Sequence, residues 1–202
     1  MTSRKLPRDF YLRPDVLTVS RDLLGKLLVV PGPNGERVSG KIVEVEAYRG
    51  PEDRASHAYG GRRTKRTETM YGTGGIAYVY FVYGMYYQFN VVCNVADVPH
   101  AILVRALEPV EGIELMRHRR PRAHRDRDLT NGPGKLCLAM GITGSMNRQS
   151  LQRGSLVVRE YASYPDSAVT VTPRIGIRHA ADWPLRWIVS GNEYVSGSRQ
   201  IR

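Results

Sequence analysis

The sequence predicts one mixed domain, several strands with a few short helices, on three observations. Residues 76–94 spell a tyrosine-rich β-hairpin, residues 38–48 and 101–107 alternate with a period of two, and residues 15–24 carry a helical stripe that stops at Gly25. At 202 residues the chain is long enough to bury a core without cross-links. Its 30 Lys and Arg against 19 Asp and Glu leave a net charge of +11, an excess that favours a polyanionic partner, nucleic acid ahead of an anionic membrane. No apolar run reaches the length of a membrane helix, and the first ten residues lack the apolar core of a secretory leader. Cys93 and Cys137 are the only cysteines, which excludes a disulfide framework or a four-cysteine metal site within the chain. A reduced, cytoplasmic setting is expected.

Taken in order, Asp15–Leu24 forms a helix with Val16, Val19 and Leu23 on one side, and Lys26–Val30 is a short buried strand. Pro31–Gly35 turns the chain into a strand over Val38–Tyr48. Alternation there puts Val43, Val45 and Ala47 on the core face and Ile42, Glu44, Glu46 and Tyr48 on the other. Two carboxylates and a tyrosine thereby share a surface, which is either a solvated strand face or a site. Residues 49–71 read as a mostly irregular loop with one histidine, His57, and the basic cluster Arg62, Arg63, Lys65 and Arg66.

Seven of the fifteen residues from Ile76 to Asn90 are aromatic, in a chain only 8% aromatic overall. Tyr78, Tyr80 and Val82 face one way, Val79, Phe81 and Tyr83 the other, and Tyr83-Gly84 makes the turn into a return strand over 85–94. The hairpin could be plain core. Tyrosine hydroxyls need partners, however, so five tyrosines this close also suit a surface that stacks on flat rings. The strand 101–107 sets Leu103 and Arg105 opposite Ile102 and Val104, and an arginine there needs a carboxylate or a wet site. A helix over 109–117 and a loose arginine-rich loop over 117–128 follow. Asn131–Lys135 then opens a helix whose backbone N–H groups, with Lys135, suit a phosphate. Strands near 156–159, 169–172 and 187–189 complete the sheet, and residues 1–8 and 196–202 are expected to fray.

Four stretches in this order, IVEVEAYRGPEDRASHAYGGRRT at 42–64, YVYFVYGMYYQFN at 78–90, ILVRALEP at 102–109 and NGPGKL at 131–136, make the chain resemble the alkyladenine (3-methyladenine, methylpurine) DNA glycosylases that lack a helix-hairpin-helix. The likeness runs from about Asp9 to Val195. It implies an α+β fold: a single domain built on a curved antiparallel sheet flanked by helices, with a protruding hairpin that enters the DNA minor groove. It implies a monomeric, cofactor-free and metal-free hydrolase that excises 3-methyladenine, hypoxanthine and related damaged purines from double-stranded DNA.

Carried over residue by residue, the resemblance makes Glu46 the general base, with Arg105 and the backbone carbonyl at Ile177 positioning the water. Tyr48, His57 and Tyr80 would sandwich the extruded base, with Asn90 and Leu103 completing the pocket and Asn90 crowding the 2-amino group of guanine. Tyr83 would fill the vacated stack, flanked by Met70 and Tyr86 in the groove, and Arg62, Arg66 and Lys135 would hold phosphates. Gln88 and the arginine-rich loop are local departures from the pattern. Two rival readings stay open on residues alone. One is a metal-dependent nuclease built on Glu44, Glu46, Glu52, Asp53 and His57, and the other is a binding domain without catalysis.

Overall fold

The computed structural model describes residues 3–82 and 84–197; Tyr83, the expected groove wedge, lies outside them. The strands are β1 (Leu27–Pro31), β2 (Arg37–Tyr48), β3 (Ala77–Val82), β4 (Tyr86–Cys93), β5 (His100–Glu111), β6 (Val157–Arg159), β7 (Val169–Thr172) and β8 (Arg186–Val189). The helices are α1 (Arg8–Tyr11), α2 (Val16–Leu23), α3 (Ile113–Arg119), α4 (Arg127–Thr130) and α5 (Pro133–Met140). One sheet in the order β3-β4-β5-β2-β1-β6 carries the domain, with β8 added to β2 and β7 to β8, and every named pairing is antiparallel. It does not close into a barrel. The α+β, single-domain reading holds.

β2 is the spine. One edge pairs with β5 from Ser39 to Tyr48, while the other pairs first with β1 (Lys41 opposite Leu27) and then with β8 (Glu46 opposite Arg186). Where the second edge changes partner, the register with β5 slips. Ile42 faces Leu107, Glu44 faces Ala106 and Val45 faces Val104, so Val43 on β2 and Arg105 on β5 have no cross-strand partner. Such bulges turn side chains that strict alternation would aim elsewhere. Ile42 and Val43 consequently both enter the main core, which corrects the expectation that Ile42 shares the glutamate face.

Period-two alternation separates two environments. Val79, Phe89, Val91, Ile102, Val104 and Ala106 bury against α2, α3, α4 and α5, whose Val19, Met116, Leu129 and Met140 are fully buried. The opposite face presents Glu46, Tyr48, Tyr78, Tyr80, Leu103 and Arg105. Asp15, expected inside the helix, instead caps α2 by accepting from the backbone N–H groups of Leu17 and Thr18, and Gly25, the expected stop, follows with φ of 85°.

Other expectations are corrected. β5 continues through Pro109, which sits opposite Gly40 at another register shift, a place where a residue without an N–H is tolerated. The helix therefore begins only at Ile113, after Gly112 has turned the chain at φ of 72°. The arginine-rich segment is not a loose loop: it contributes to α3 and α4, Arg117 pairs with Asp126 at 2.8 Å, and Arg120 Nη1 donates to the carbonyl of Leu129 at 2.7 Å. Leu6 and Ser196, placed in fraying ends, are both buried. No helix among the described residues is long and apolar enough to cross a membrane.

Candidate active site

On the side of the sheet away from the main core lies a cavity of about 260 Å³, the small end of ligand-pocket size. Tyr48, His57, Tyr80, Asn90, Leu103, Arg105 and Ile177, seven of the residues expected at the site, line it together. Their mounts are stiff. Tyr48 ends β2, Tyr80 and Asn90 come from the hairpin arms, and Leu103 and Arg105 come from β5, with Asn90 directly opposite Leu103. His57 comes from the 49–71 segment, which is ordered by short 3-10 turns at Gly50–Glu52, Tyr59–Gly61 and Glu68–Tyr71.

Glu46 is fully buried and does not itself line the cavity. Its three partners do. Oε2 accepts from the Tyr48 hydroxyl at 3.0 Å and from Arg105 Nη1 at 3.2 Å, and Oε1 accepts from the backbone N–H of Ile175 at 2.9 Å. An ionised carboxylate accepts at about four lone-pair sites, and three donors among the described residues reach Glu46. Glu44, two residues earlier, accepts from four donors, three of them on Oε1 and one on Oε2. It takes Arg105 Nε at 2.8 Å, Arg186 Nε at 2.7 Å, and the backbone N–H and Oγ of Ser196 at 2.6 and 2.7 Å.

Burial opposes the Arg105 charge, but the negative charges of Glu46 and Glu44 outweigh it and hold the guanidinium above its usual pKa. Burial together with the Glu46 charge pushes the Tyr48 phenol well above its ordinary value, so it stays a hydrogen-bond donor. Burial, with Arg66 and Arg62 close by, drives the His57 imidazole down to about 4. His57 is therefore neutral at pH 7. Its Nδ1 lies 2.9 Å from the Tyr78 hydroxyl and its ring packs edge-on to Tyr80, with centroids 4.7 Å apart. The Tyr80 hydroxyl donates to Gln88 Oε1 at 2.6 Å, and the Arg66 guanidinium lies 4.9 Å from the Tyr80 ring centre.

The remaining expected residues are placed elsewhere. Met70 lines the cavity but is only 2% exposed, within a small cluster containing Ala58, Tyr71 and Tyr78, so it forms pocket wall rather than an exposed groove contact. Tyr86 is half exposed near the hairpin tip and lies with Lys135 beside a separate depression, where Lys135 Nζ donates to Asn131 Oδ1 at 2.7 Å. Arg62 and Arg66 border a hollow next to His57.

Sequence reasoning missed the arginines that stabilise the site from behind. Arg174 clamps Asp53 in a bidentate pair at 2.6 and 2.8 Å, donates to the Ala47 carbonyl and stacks its guanidinium 4.7 Å from the centre of Tyr48. Arg186 serves Glu44. Both lie more than a hundred residues from their partners, and no local spacing marks them out among 30 cations.

The match to known proteins agrees with this architecture. A family model described as methylpurine-DNA glycosylase (MPG) matches residues 9–193. A protein of Clostridium acetobutylicum named "Putative 3-methyladenine DNA glycosylase" is 46% identical, covering 95% of this chain and 97% of the relative. Relatives of the same name from Desulfitobacterium hafniense and Chlamydia abortus are 47% and 45% identical, over 96% and 90% of this chain and 98% and 95% of their own lengths. The ring-lined cavity, the carboxylate beneath it and this near full-length likeness place the chain in the methylpurine-DNA glycosylase family, DNA-repair hydrolases of N-glycosyl bonds.

Proposed function

We propose that the protein excises alkylated and deaminated purines, 3-methyladenine and hypoxanthine among them, from duplex DNA by single-step hydrolysis with Glu46 as general base. The observation that carries this reading is the Glu46 carboxylate, held beside a flat-ring cavity by three groups that line it. A target base stacked in a duplex hides its glycosidic bond, so it must be rotated out at a cost of a few kcal/mol. Stacking on an aromatic ring is worth about 1–3 kcal/mol per base, and Tyr48, His57 and Tyr80 supply such surfaces.

Water bound to Glu46 attacks the sugar C1′, Glu46 takes its proton, and the electrons of the C1′–N bond leave with the purine. A cationic 3-methylated adenine departs readily, whereas hypoxanthine needs a proton from an acid. His57 does not suit that task, because its low pKa keeps it neutral at pH 7. Its backbone N–H and neutral ring suit recognition instead. Asn90, whose side chain donates to the Tyr78 carbonyl at 3.2 Å, narrows the wall against a 2-amino substituent. Tyr83, by the family resemblance, fills the gap left in the stack.

In the test, Glu46→Gln retains binding to a hypoxanthine-containing duplex while release of free hypoxanthine falls by about 10²–10⁴-fold. The wild-type product is a free base and an abasic strand that breaks only on alkaline treatment. Wild-type excision rates in Glu46→Gln would end this reading.

A further inference from the structure

We propose that Glu44 is a positioning residue for base excision: a buried carboxylate that, with Arg186 and Ser196 as its other partners, seats the Arg105 guanidinium against Glu46. The inference deepens the reading above and rests on Glu46 being the base. Arg105 is bound unequally by the two glutamates. Its Nε meets Glu44 at 2.8 Å, whereas Nη1 meets Glu46 at 3.2 Å, so Glu44 is the closer anchor of a guanidinium group whose residue also lines the cavity.

The backbone makes this anchor necessary. Arg105 stands at the register slip opposite the Val43 slip, so no regular ladder fixes its direction, and a free guanidinium on a bulge could swing toward the cavity. Glu44 prevents that, and is itself immobilised from two further sides. Arg186 on β8 donates Nε to Glu44 and Nη2 to the Ser196 carbonyl at 3.0 Å. Ser196 closes the ring: its N–H and hydroxyl both donate to Glu44, and Arg105 Nη2 reaches its Oγ at 3.4 Å. Two carboxylates and two guanidinium groups, all in buried residues, thereby balance in charge, with Glu44 taking three donors on Oε1 and one on Oε2. Glu44 touches no part of the cavity. Its effect on the reaction passes through Arg105.

The test measures single-turnover excision of hypoxanthine and duplex affinity in the same preparations. Glu44→Gln should lower the excision rate by about 10²-fold while the Kd for lesion duplex stays within about threefold, as expected for a group that only orients another. In an Arg105→Lys background the same change should cost nothing further, because the guanidinium it seats is gone; a purely structural Glu44 would multiply the two losses. Should Glu44→Gln fail to fold, Ser196→Ala removes two of the bonds without altering charge, and should slow excision several-fold at unchanged affinity. Glu44→Gln or Ser196→Ala with wild-type excision, or with rate and affinity lost in parallel, overturns the proposal. Glu46→Gln run alongside separates the two ideas: if it still excises, the general-base reading falls, and if it is inactive while Glu44→Gln is unimpaired, only the positioning role falls.

Discussion

At the scale of single residues, the site is held by charges taken out of water in pairs. Asp53 and Arg174 are both buried, and Asp53 also accepts from the backbone N–H groups of Arg49 and Ala55. Removing one partner of such a pair strands the other, so Asp53→Ala should cost about 3–5 kcal/mol in chemical denaturation. The loss should exceed that of Glu52→Ala, an exposed partner of Arg49. His57 makes a prediction in pH. Its folded-state pKa of about 4 lies below the ordinary 6.5, so between those values the unfolded chain binds more protons. This contribution to stability is intact above pH 6.5 and is lost as the pH falls toward 4. His100, lowered by burial, acts in the same direction. His57→Gln should flatten the acid side of a melting-temperature profile, and an unchanged slope would contradict the assignment.

Among the elements, the paired register slips in β2 and β5 explain what the sequence could and could not reveal. Wherever alternation is regular, one side chain per position suffices to read its face: Leu103 against Ile102, Tyr78 against Val79, Glu46 against Val45. The faces of the hairpin arm 78–82 and of the strand 101–107 are legible for that reason, whereas the pocket roles of Asn90 and Leu103 come from the family resemblance. Reading failed where regularity stops. Alternation puts Ile42 on the wrong face because it lies at a slip, and Pro109 reads as a helix start because a proline early in a polar stretch has the same local appearance in either role. Arg174, Arg186 and Ser196 are not legible because the carboxylates they serve, Asp53 and Glu44, lie more than a hundred residues away. The hairpin is also tied to α5 by a close approach. A Cβ on Gly134 would lie 2.9–3.0 Å from the Cγ and Cβ of Tyr86, closer than carbon atoms tolerate. Gly134→Ala should therefore push Tyr86 off α5, costing about 1–3 kcal/mol. It should weaken DNA capture, read by 2-aminopurine fluorescence, more than excision once bound.

For the whole molecule, the charge of +11 divides into two populations with different work. Arg105, Arg174 and Arg186 are buried on carboxylates, and Arg63 is held by Glu68 and Asp97 at 2.7 Å. These pairings also weigh against a metal nuclease built on Glu44, Glu46, Glu52, Asp53 and His57, because guanidinium groups already hold both oxygens of Asp53 and one oxygen each of Glu44 and Glu46; excision should survive EDTA unchanged. Cations outside such pairs, Arg62 and Lys135 for example, make no ion pair among the described residues and border open depressions on the surface. Under the proposed function, these are the groups expected to displace counterions from DNA. Affinity for duplex should accordingly fall steeply between low and moderate salt, with a log–log slope of about −0.9 per phosphate contact, and Arg62→Ala or Lys135→Ala should each make that slope shallower by about one contact. Lesion and undamaged duplexes should lose affinity in parallel if the ring-lined cavity does the discriminating, because Arg105, the cation on its wall, is already paired with Glu44 and Glu46. Their affinity ratio should stay nearly constant across a salt titration followed by fluorescence anisotropy. A ratio that collapses with added salt would instead place discrimination in the charged surface, and would contradict the division of labour between pocket and phosphate grip.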